Sequence, residues 1–277
     1  MPVIAMTQEM GSLAKDVALK LAETMQIETM RHEVVEHVAA RMHVSKSLIN
    51  RLREGKAGTI ERLKADRESM AVYTAEEVLD FAARGNGVLR GWGATCLLRP
   101  VKHVVCGRIT RSLEKRVEWL MENLGTDDAE FAEAEILRSD HAHATRMHEQ
   151  FGVAWGDPLL YDLVLNTDRI SVDSCVEQIR LLAARPEFAE TAESRALLRD
   201  MDTQARIRAA LRANDEAHEI KITIDCVDGR VTLRGIVMNA AEKALAEQIT
   251  SGVPGVSSVD NQLRLMAMSR LFTSAKN

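Results

Sequence analysis

The chain has 277 residues, of which 46% are apolar and 28% are charged, a balance typical of a globular protein and not of a disordered one. Its 36 Lys and Arg residues stand against 41 Asp and Glu residues, a net charge of −5 that argues against nucleic acid as a partner. No run approaches the roughly 20 apolar residues of a transmembrane segment. No basic leader opens the chain and its four cysteines lie far apart, so we expect a reducing, cytoplasmic location.

The first 185 residues alternate short apolar runs with helical patterns. Buried strands are predicted at 3–6, 87–89, 104–106 and 163–165. Helices are predicted after the first strand, over 34–42, over 113–124, before Trp155 and over 172–183. This alternation predicts an α/β fold in which a parallel sheet has helices on both faces.

A charged stretch containing Pro186 separates this part from a second one, and we predict a linker over 186–201. A helix over 203–213 comes next, and a short helix within the linker stays open as an alternative. Two alternating strands joined by Asp228-Gly229, a helix beginning at Asn239 and a final strand over 256–265 follow. The predicted domains are therefore 1–185 and 202–266, with 267–277 as a tail, and the second is a small α+β module of order αββαβ.

The turn after the first strand is a candidate phosphate site. A strand that runs through a glycine-containing turn into a helix directs backbone N–H groups and the positive end of the helix dipole at one spot. Here the turn contains Gly11 and Ser12, with Lys15 close behind. The pattern has one glycine and lacks the usual G-x-x-x-x-G-K-[ST] spacing, so an ordinary turn is the alternative.

Six segments together resemble the cytidylate kinase-like proteins, a branch of the P-loop nucleoside monophosphate kinases. In chain order they are 7–22 (TQEMGSLAKDVALKLA), 32–39, 87–94 (GVLRGWGA), 112–117 (SLEKRV), 155–158 (WGDP) and 161–167 (YDLVLNT). The resemblance covers about residues 3–183. It implies a three-layer P-loop fold, phosphoryl transfer from ATP with Mg²⁺, and a pyrimidine nucleoside monophosphate as acceptor.

The resemblance also implies the site residues. Gly11, Ser12, Lys15 and Arg116 would bind the nucleotide. The catalytic residues would be Lys15, Arg138 and Arg146, the two arginines closing over the transferred group. Each arginine has an alternative as a solvated or ion-paired helix residue.

No metal-binding residues are predicted, because His141, His143 and His148 do not share one helix face and are expected to be solvated. Trp155 and Tyr161 are expected in the core.

Three positions depart from the family pattern. Ala14 replaces a loop glycine, Trp92 replaces the arginine of a G-R-G-A segment, and His143 stands where a lid arginine is expected. Backbone access or positive charge is lost at each of them. A nucleotide sensor without catalysis is therefore an alternative to a kinase.

The second part resembles the BON domain, through the hairpin 227–235 (VDGRVTLRG) and the segment 252–261 (GVPGVSSVDN). The resemblance implies a protein, small hydrophobic ligand or lipid as partner. No basic cluster favours an anionic lipid, so a protein or small ligand is preferred, and a homo-oligomer is left open. A third reading of the whole chain is an interaction protein that uses the P-loop fold as a scaffold.

Overall fold

The computed structural model describes residues 2–30 and 33–266, and the predicted tail at 267–277 and His32 of the second resembling segment lie outside these ranges. Five strands form the first sheet: β1 (Val3–Gln8), β2 (Glu28–Thr29), β3 (Gly87–Arg90), β4 (Val104–Thr110) and β5 (Leu163–Asn166). Their order is β2-β3-β1-β4-β5 and every pairing is parallel. The predicted parallel sheet is confirmed, and β2 is an additional short strand at its edge.

Among the described residues of this part, ten α-helices are present or begin. They are α1 (Ala14–Met25), α2 (Glu33–Arg41), α3 (Lys46–Arg53), α4 (Thr59–Lys64), α5 (Arg67–Arg84), α6 (Ala94–Leu97), α7 (Leu113–Leu124), α8 (Ala129–Phe151), α9 (Val172–Ala183) and α10 (Ala192–Arg212). The bounds of α7 and α9 agree with the prediction. Helices α3, α4, α5 and α6 lie in a stretch for which no elements were predicted.

The main core lies between the sheet and the pair α1 and α9. Ile4 and Met6 of β1, Leu21 of α1 and Ile179 of α9 have at most 1% of their surface exposed. Ala5 alternates to the other face of β1, where α6 packs. The sheet is therefore buried on both faces, as its continuous apolar strands predict.

The second sheet has three strands, β6 (Ile222–Val227), β7 (Arg230–Val237) and β8 (Ser258–Leu265), in that order. β6 and β7 form the predicted antiparallel hairpin, and β8 runs parallel to β7. The predicted helix is α11 (Ala240–Ser251), whose N-terminus is capped by the Asn239 side chain accepting from the Glu242 amide at 2.9 Å. The predicted αββαβ order is confirmed.

The chain divides into two compact units that meet between Leu198 and Arg199. Helix α10 continues through this point and covers most of the stretch predicted as a linker as well as the helix predicted over 203–213. Among the described residues, no helix is both long and apolar enough to cross a membrane.

Candidate functional site

The carboxyl ends of β1, β3 and β4 lie side by side, and the segments that follow them carry the candidate site. After β1, residues 9–13 turn the chain into α1. Leu13 is the N-cap residue, and no side chain caps this helix. The Ser12 side chain is 1% exposed, and its hydroxyl has no hydrogen-bond partner among the described residues. An uncapped helix start beside a buried, unpaired hydroxyl suits a bound anion.

Side chains from other elements hold this loop. Arg116 Nε donates to the Met10 carbonyl at 2.7 Å, and Thr167 Oγ1 donates to the Ser12 carbonyl at 2.9 Å. A Cβ built on Gly11 would lie 3.1 Å from Trp119, and the φ of Gly11 is +80°. Glycine is therefore required at position 11, both for the close approach of α7 and for the left-handed backbone. These contacts hold the loop against α7 and the segment after β5.

Glu9 is part of the same support. Its carboxylate accepts from Arg108 Nη2 at 2.6 Å, from Thr110 Oγ1 at 2.6 Å and from the Arg111 amide at 3.1 Å. Arg108 also donates to the Trp155 carbonyl at 2.6 Å. Glu9 thus links the end of β1 to the end of β4. Because both carboxylate oxygens already accept hydrogen bonds, we do not assign Glu9 the role of a general base.

Arg116, predicted to bind nucleotide, is 5% exposed and makes a bidentate contact with Asp140. Its Nη2 lies 2.7 and 2.8 Å from the two carboxylate oxygens. Burial raises the pKa of Asp140, while the hydrogen bonds and charge of Arg116 oppose that rise. The pair ties α7 to α8, and the guanidinium reaches the phosphate loop through the Met10 carbonyl.

The other predicted residues lie in different settings. Lys15 is exposed and makes no hydrogen bond or ion pair within residues 2–30 and 33–266. Arg138 pairs with Glu135, one turn earlier on α8, and its Nε is buried without a partner. Arg146 donates from both Nη atoms to the Arg53 carbonyl, at 3.2 and 3.0 Å. Of the three predicted catalytic residues, only Arg146 contacts the group described next.

Arg53, Arg90 and Arg146 form what we call the arginine cluster, which joins α3, the end of β3 and α8. Burial, then the charges of Arg146 and Arg90, lower the pKa of Arg53 to about 9. Burial also lowers the pKa of Arg90 and of Arg146. Within the described part of the chain, the structure shows no ion pair between a carboxylate and the guanidinium of Arg53 or Arg146. Partly buried guanidinium groups that repel one another are an arrangement that an anion would stabilise.

Two close contacts bring the cluster together. Gly55, just after α3, has a φ of +72°, and a Cβ there would lie 2.8 Å from Ala142 Cβ of α8. After β3, Trp92 has a φ of 60° between two left-handed glycines. The Arg53 guanidinium lies 3.5 Å from the centre of the Trp92 ring. Trp92, which replaces a family arginine, thus positions another arginine by stacking.

His143 is not solvated, contrary to the prediction. Its ring lies 4.3 Å from that of Trp155. Trp155 and Tyr161 are 7% and 8% exposed, in agreement with the core role expected of them. Residues 2–30 and 33–266 contain no group of three or more His, Cys, Asp or Glu side chains able to hold a metal ion.

The sequence reasoning missed Arg53, Arg90 and Arg111. Arg90 could have been found, because it is the last residue of a buried parallel strand. Arg111, whose Nη1 lies 3.5 Å from the Gly11 carbonyl, follows the next such strand. Arg53 carried no comparable signal, since it reaches the site through the tertiary contact at Gly55.

Comparisons with known proteins identify both parts of the chain. The model of the cytidylate kinase-like family matches residues 3–169, and the chain belongs to that family. The model of the BON domain matches residues 199–267. No curated protein matches the chain.

Among solved structures, the chain is similar to an uncharacterized protein from Eubacterium ventriosum, with a TM-score of 0.52 and 19% identity over 67% of this chain and 100% of the other. Shikimate kinase from Acinetobacter baumannii matches with a TM-score of 0.41 and 12% identity, over 66% of this chain and 92% of the other. Shikimate kinase from Bacteroides thetaiotaomicron matches with a TM-score of 0.39 and 16% identity, over 65% of this chain and 97% of the other. The first of these likenesses supports the fold.

Proposed function

We propose that the cytidylate kinase-like domain binds nucleotide phosphates at the arginine cluster and the phosphate loop, and transfers a phosphoryl group from ATP to a pyrimidine nucleoside monophosphate. The proposal is carried by the arginine cluster, in which Arg53 and Arg146 form no ion pair with a carboxylate of the described residues, together with the uncapped start of α1. Phosphoryl transfer asks a protein mainly to align two phosphates and to neutralise charge on the oxygens between them.

The proposed roles follow the contacts. The amides at Gly11 and Ser12 bind the phosphates of ATP, with the buried Ser12 hydroxyl as a further donor. Arg146 and Arg53 bind the phosphate of the monophosphate, and Arg116 holds the loop in place. Lys15 and Arg138 are proposed to reach the transferred group by side-chain rotation.

The residues fit ATP better than they fit a protein-bound metal. The unpaired Ser12 hydroxyl and the uncapped helix suit phosphate oxygens. With no cluster of candidate ligands among the described residues, Mg²⁺ would be held largely by the nucleotide phosphates and water, which is common for this ion. When bound, it would neutralise charge on those phosphates.

The test combines calorimetry with a coupled assay of ADP formation, using ATP, Mg²⁺ and CMP. Wild type should bind both nucleotides and form ADP only when CMP is present. Arg146→Met should weaken CMP binding by about 10- to 100-fold, the loss expected for a charge-assisted hydrogen bond, and Lys15→Ala should abolish transfer. Arg180→Met, an exposed change on α9, is the matched control and should alter neither. Failure of both nucleotides to bind at millimolar concentration would leave the fold as a scaffold only.

A second candidate is a sensor that binds nucleotide without transfer. Two observations favour it: Lys15 makes no hydrogen bond or ion pair among the described residues, and Trp92 stands where the resemblance leads one to expect an arginine. Binding by calorimetry with no ADP formed above the no-enzyme rate would select this candidate.

For the BON domain we propose attachment of a partner protein, a small hydrophobic ligand or a lipid, with the cytoplasm as the location. Ile236 and Met238, at the end of β7, are 57% and 63% exposed and offer apolar surface for such a contact. Sedimentation of the full chain would show whether a second copy is that partner.

A further inference from the structure

Trp92 has a backbone conformation that is unusual for an aromatic residue. Gly91, Trp92 and Gly93, between β3 and α6, have φ values of 82°, 60° and 71°, so three consecutive residues are left-handed. Glycine adopts this conformation freely, but it is costly for a residue with a bulky side chain. Backbone preference therefore does not explain the tryptophan, and its ring must be retained for the contact that it makes.

The turn that carries this ring is fixed on two sides. The Gly91 amide donates to the Met6 carbonyl of β1 at 2.8 Å. A Cβ built on Gly93 would lie 2.6 Å from the ring of Phe151, so the turn packs closely against the last residue of α8. The partly buried ring of Trp92 thus stands on a support that joins the sheet to α8.

The Arg53 guanidinium lies on this turn. Its Cζ is 3.5 Å from the centre of the Trp92 ring, and a Cβ on Gly91 would lie 3.9 Å from Nη2. A guanidinium stacked on an aromatic face still has the N–H groups of its edge available to acceptors in its own plane. Among the side chains that the structure describes, no carboxylate forms an ion pair with this guanidinium.

The two ends of Arg53 are held by different residues. Arg146 donates from both Nη atoms to the Arg53 carbonyl, at 3.2 and 3.0 Å, and so ties the main chain at the end of α3 to α8. That contact leaves the side-chain torsions of Arg53 unrestrained. The orientation of its guanidinium therefore depends on the ring of Trp92.

We propose that Trp92 is a positioning residue for the phosphate of the nucleoside monophosphate, because its ring holds the Arg53 guanidinium in the orientation that binds this group. The inference rests on the proposed function, in which Arg53 and Arg146 bind that phosphate. An arginine that is already stacked loses less rotational freedom when the ligand binds, so the stack lowers the cost of binding. An arginine from α3, laid over position 92, thereby supplies the charge that the resemblance places at position 92 itself.

The experiment measures the affinities of CMP and ATP for the full chain by calorimetry. Trp92→Leu removes the aromatic face and should weaken CMP binding by about 5- to 20-fold. Arg53→Met should weaken it by about 10- to 100-fold. ATP affinity should stay within about twofold of wild type in both variants, because ATP is assigned to the loop after β1. If the leucine variant does not fold, Trp92→Gly takes its place, since glycine suits the left-handed backbone.

Two further variants separate positioning from a structural role. If Trp92 acts through Arg53, a chain that combines Trp92→Leu with Arg53→Met should bind CMP as Arg53→Met alone does. Trp92→Phe keeps an aromatic face and should retain most of the wild-type affinity. The control is Arg84→Met, which removes an arginine stacked on Phe81 at 5.2 Å, at the other end of β3, and should bind CMP as wild type does.

Three results would overturn the inference and leave the proposed function standing. They are CMP affinity within twofold of wild type in Trp92→Leu, equally weak binding by Trp92→Phe and Trp92→Leu, and a loss from Trp92→Leu that is as large without the Arg53 side chain as with it. A wild-type chain that binds ATP but no CMP at millimolar concentration would instead contradict the proposed acceptor site, and the inference with it.

Discussion

Leu13 has a φ of 62° and a ψ of 14°, a left-handed conformation that is costly for a branched side chain. Leu13 directly precedes Ala14, the position at which a loop glycine was expected. The loop therefore has a left-handed backbone, which glycine adopts easily, at a residue that is not glycine. Such strain persists where the surroundings over-determine the conformation, and it concentrates at functional sites. Here Arg116 and Thr167 supply the restraint through the carbonyls on either side of Gly11.

The left-handed conformation of Leu13 can be tested by comparing two variants that both lack the leucine side chain, so that lost packing is nearly the same in each. Leu13→Gly should be more stable than Leu13→Ala by about 1 kcal/mol, because glycine relieves the left-handed strain that alanine keeps. Leu19, half exposed in the middle of α1, is the matched position, and there the alanine variant should be the more stable by about 1 kcal/mol. Chemical denaturation of the four variants measures both differences. If the alanine variant were the more stable at both positions, 13 and 19, the loop would not be strained at Leu13.

Arg116 and Asp140 raise a second question at the scale of single residues, namely whether a buried arginine beside a phosphate loop supports the fold or the ligand. Asp140→Asn would replace the nearest carboxylate of the buried Arg116 guanidinium by a neutral amide and leave only the more distant Glu9 carboxylate, at 3.8 Å. This change should destabilise the domain by about 2 to 4 kcal/mol. Glu135→Gln, which breaks the partly exposed pairs with Arg138 on the same helix and with Lys56, should cost less than about 1 kcal/mol. Equal midpoints of urea unfolding for the two variants would show that the Arg116 pair contributes no more than a surface pair.

At the scale of elements, strong periodicity determined what could be predicted. Helices α7 and α9 have apolar stripes in the sequence itself, and their bounds were predicted from them. Helices α4 and α6 have only 6 and 4 residues, too few to show a period. Helices α3 and α5 do have local signals, because Ser45 and Asp66 cap their N-termini, but the prediction did not use them. Arg53 sits on one of these helices, which is why the arginine cluster stayed hidden although Arg146 was predicted. The phosphate loop was located from its single glycine, but its strained residue proved to be Leu13.

Helix α10 shows the opposite error, in which a charged sequence concealed a regular element. Its first turn is stabilised by a reciprocal pair: the Ser194 amide donates to Thr191 Oγ1 at 3.1 Å, and the Thr191 amide donates to Ser194 Oγ at 3.0 Å. The buried ring of His103 also contacts Ser194 Oγ through Nδ1 at 2.7 Å. Burial lowers the pKa of His103, so this ring is neutral. The helix therefore begins as part of the first unit, ahead of the point where a linker was predicted to end.

At the scale of the whole molecule, this start of α10 decides where the chain can be divided. The core of the first unit includes Phe188, which packs against its edge, and the core of the second unit shares no residue with it. A chain of residues 1–198 keeps Phe188 and the Ser194 contact, whereas a chain of residues 1–185 loses both. Loss of Ser194 leaves the buried Nδ1 of His103 unpaired, at a cost of about 1 to 3 kcal/mol, and loss of Phe188 costs about 2 kcal/mol more.

We therefore expect residues 1–198 to unfold cooperatively by calorimetry, and residues 1–185 to melt about 10 °C lower, since about 1 kcal/mol shifts the midpoint by about 2–4 °C in a domain of this size. Residues 199–277 should show a separate cooperative transition, because the second unit has its own core. Ser194→Ala in the 1–198 chain removes the His103 contact but keeps Phe188. Its midpoint should therefore fall only by the part of the decrease that the His103 contact supplies. Equal midpoints for the two shortened chains would mean that α10 contributes nothing to the first unit. Loss of the 1–198 transition would mean that the two units fold only together.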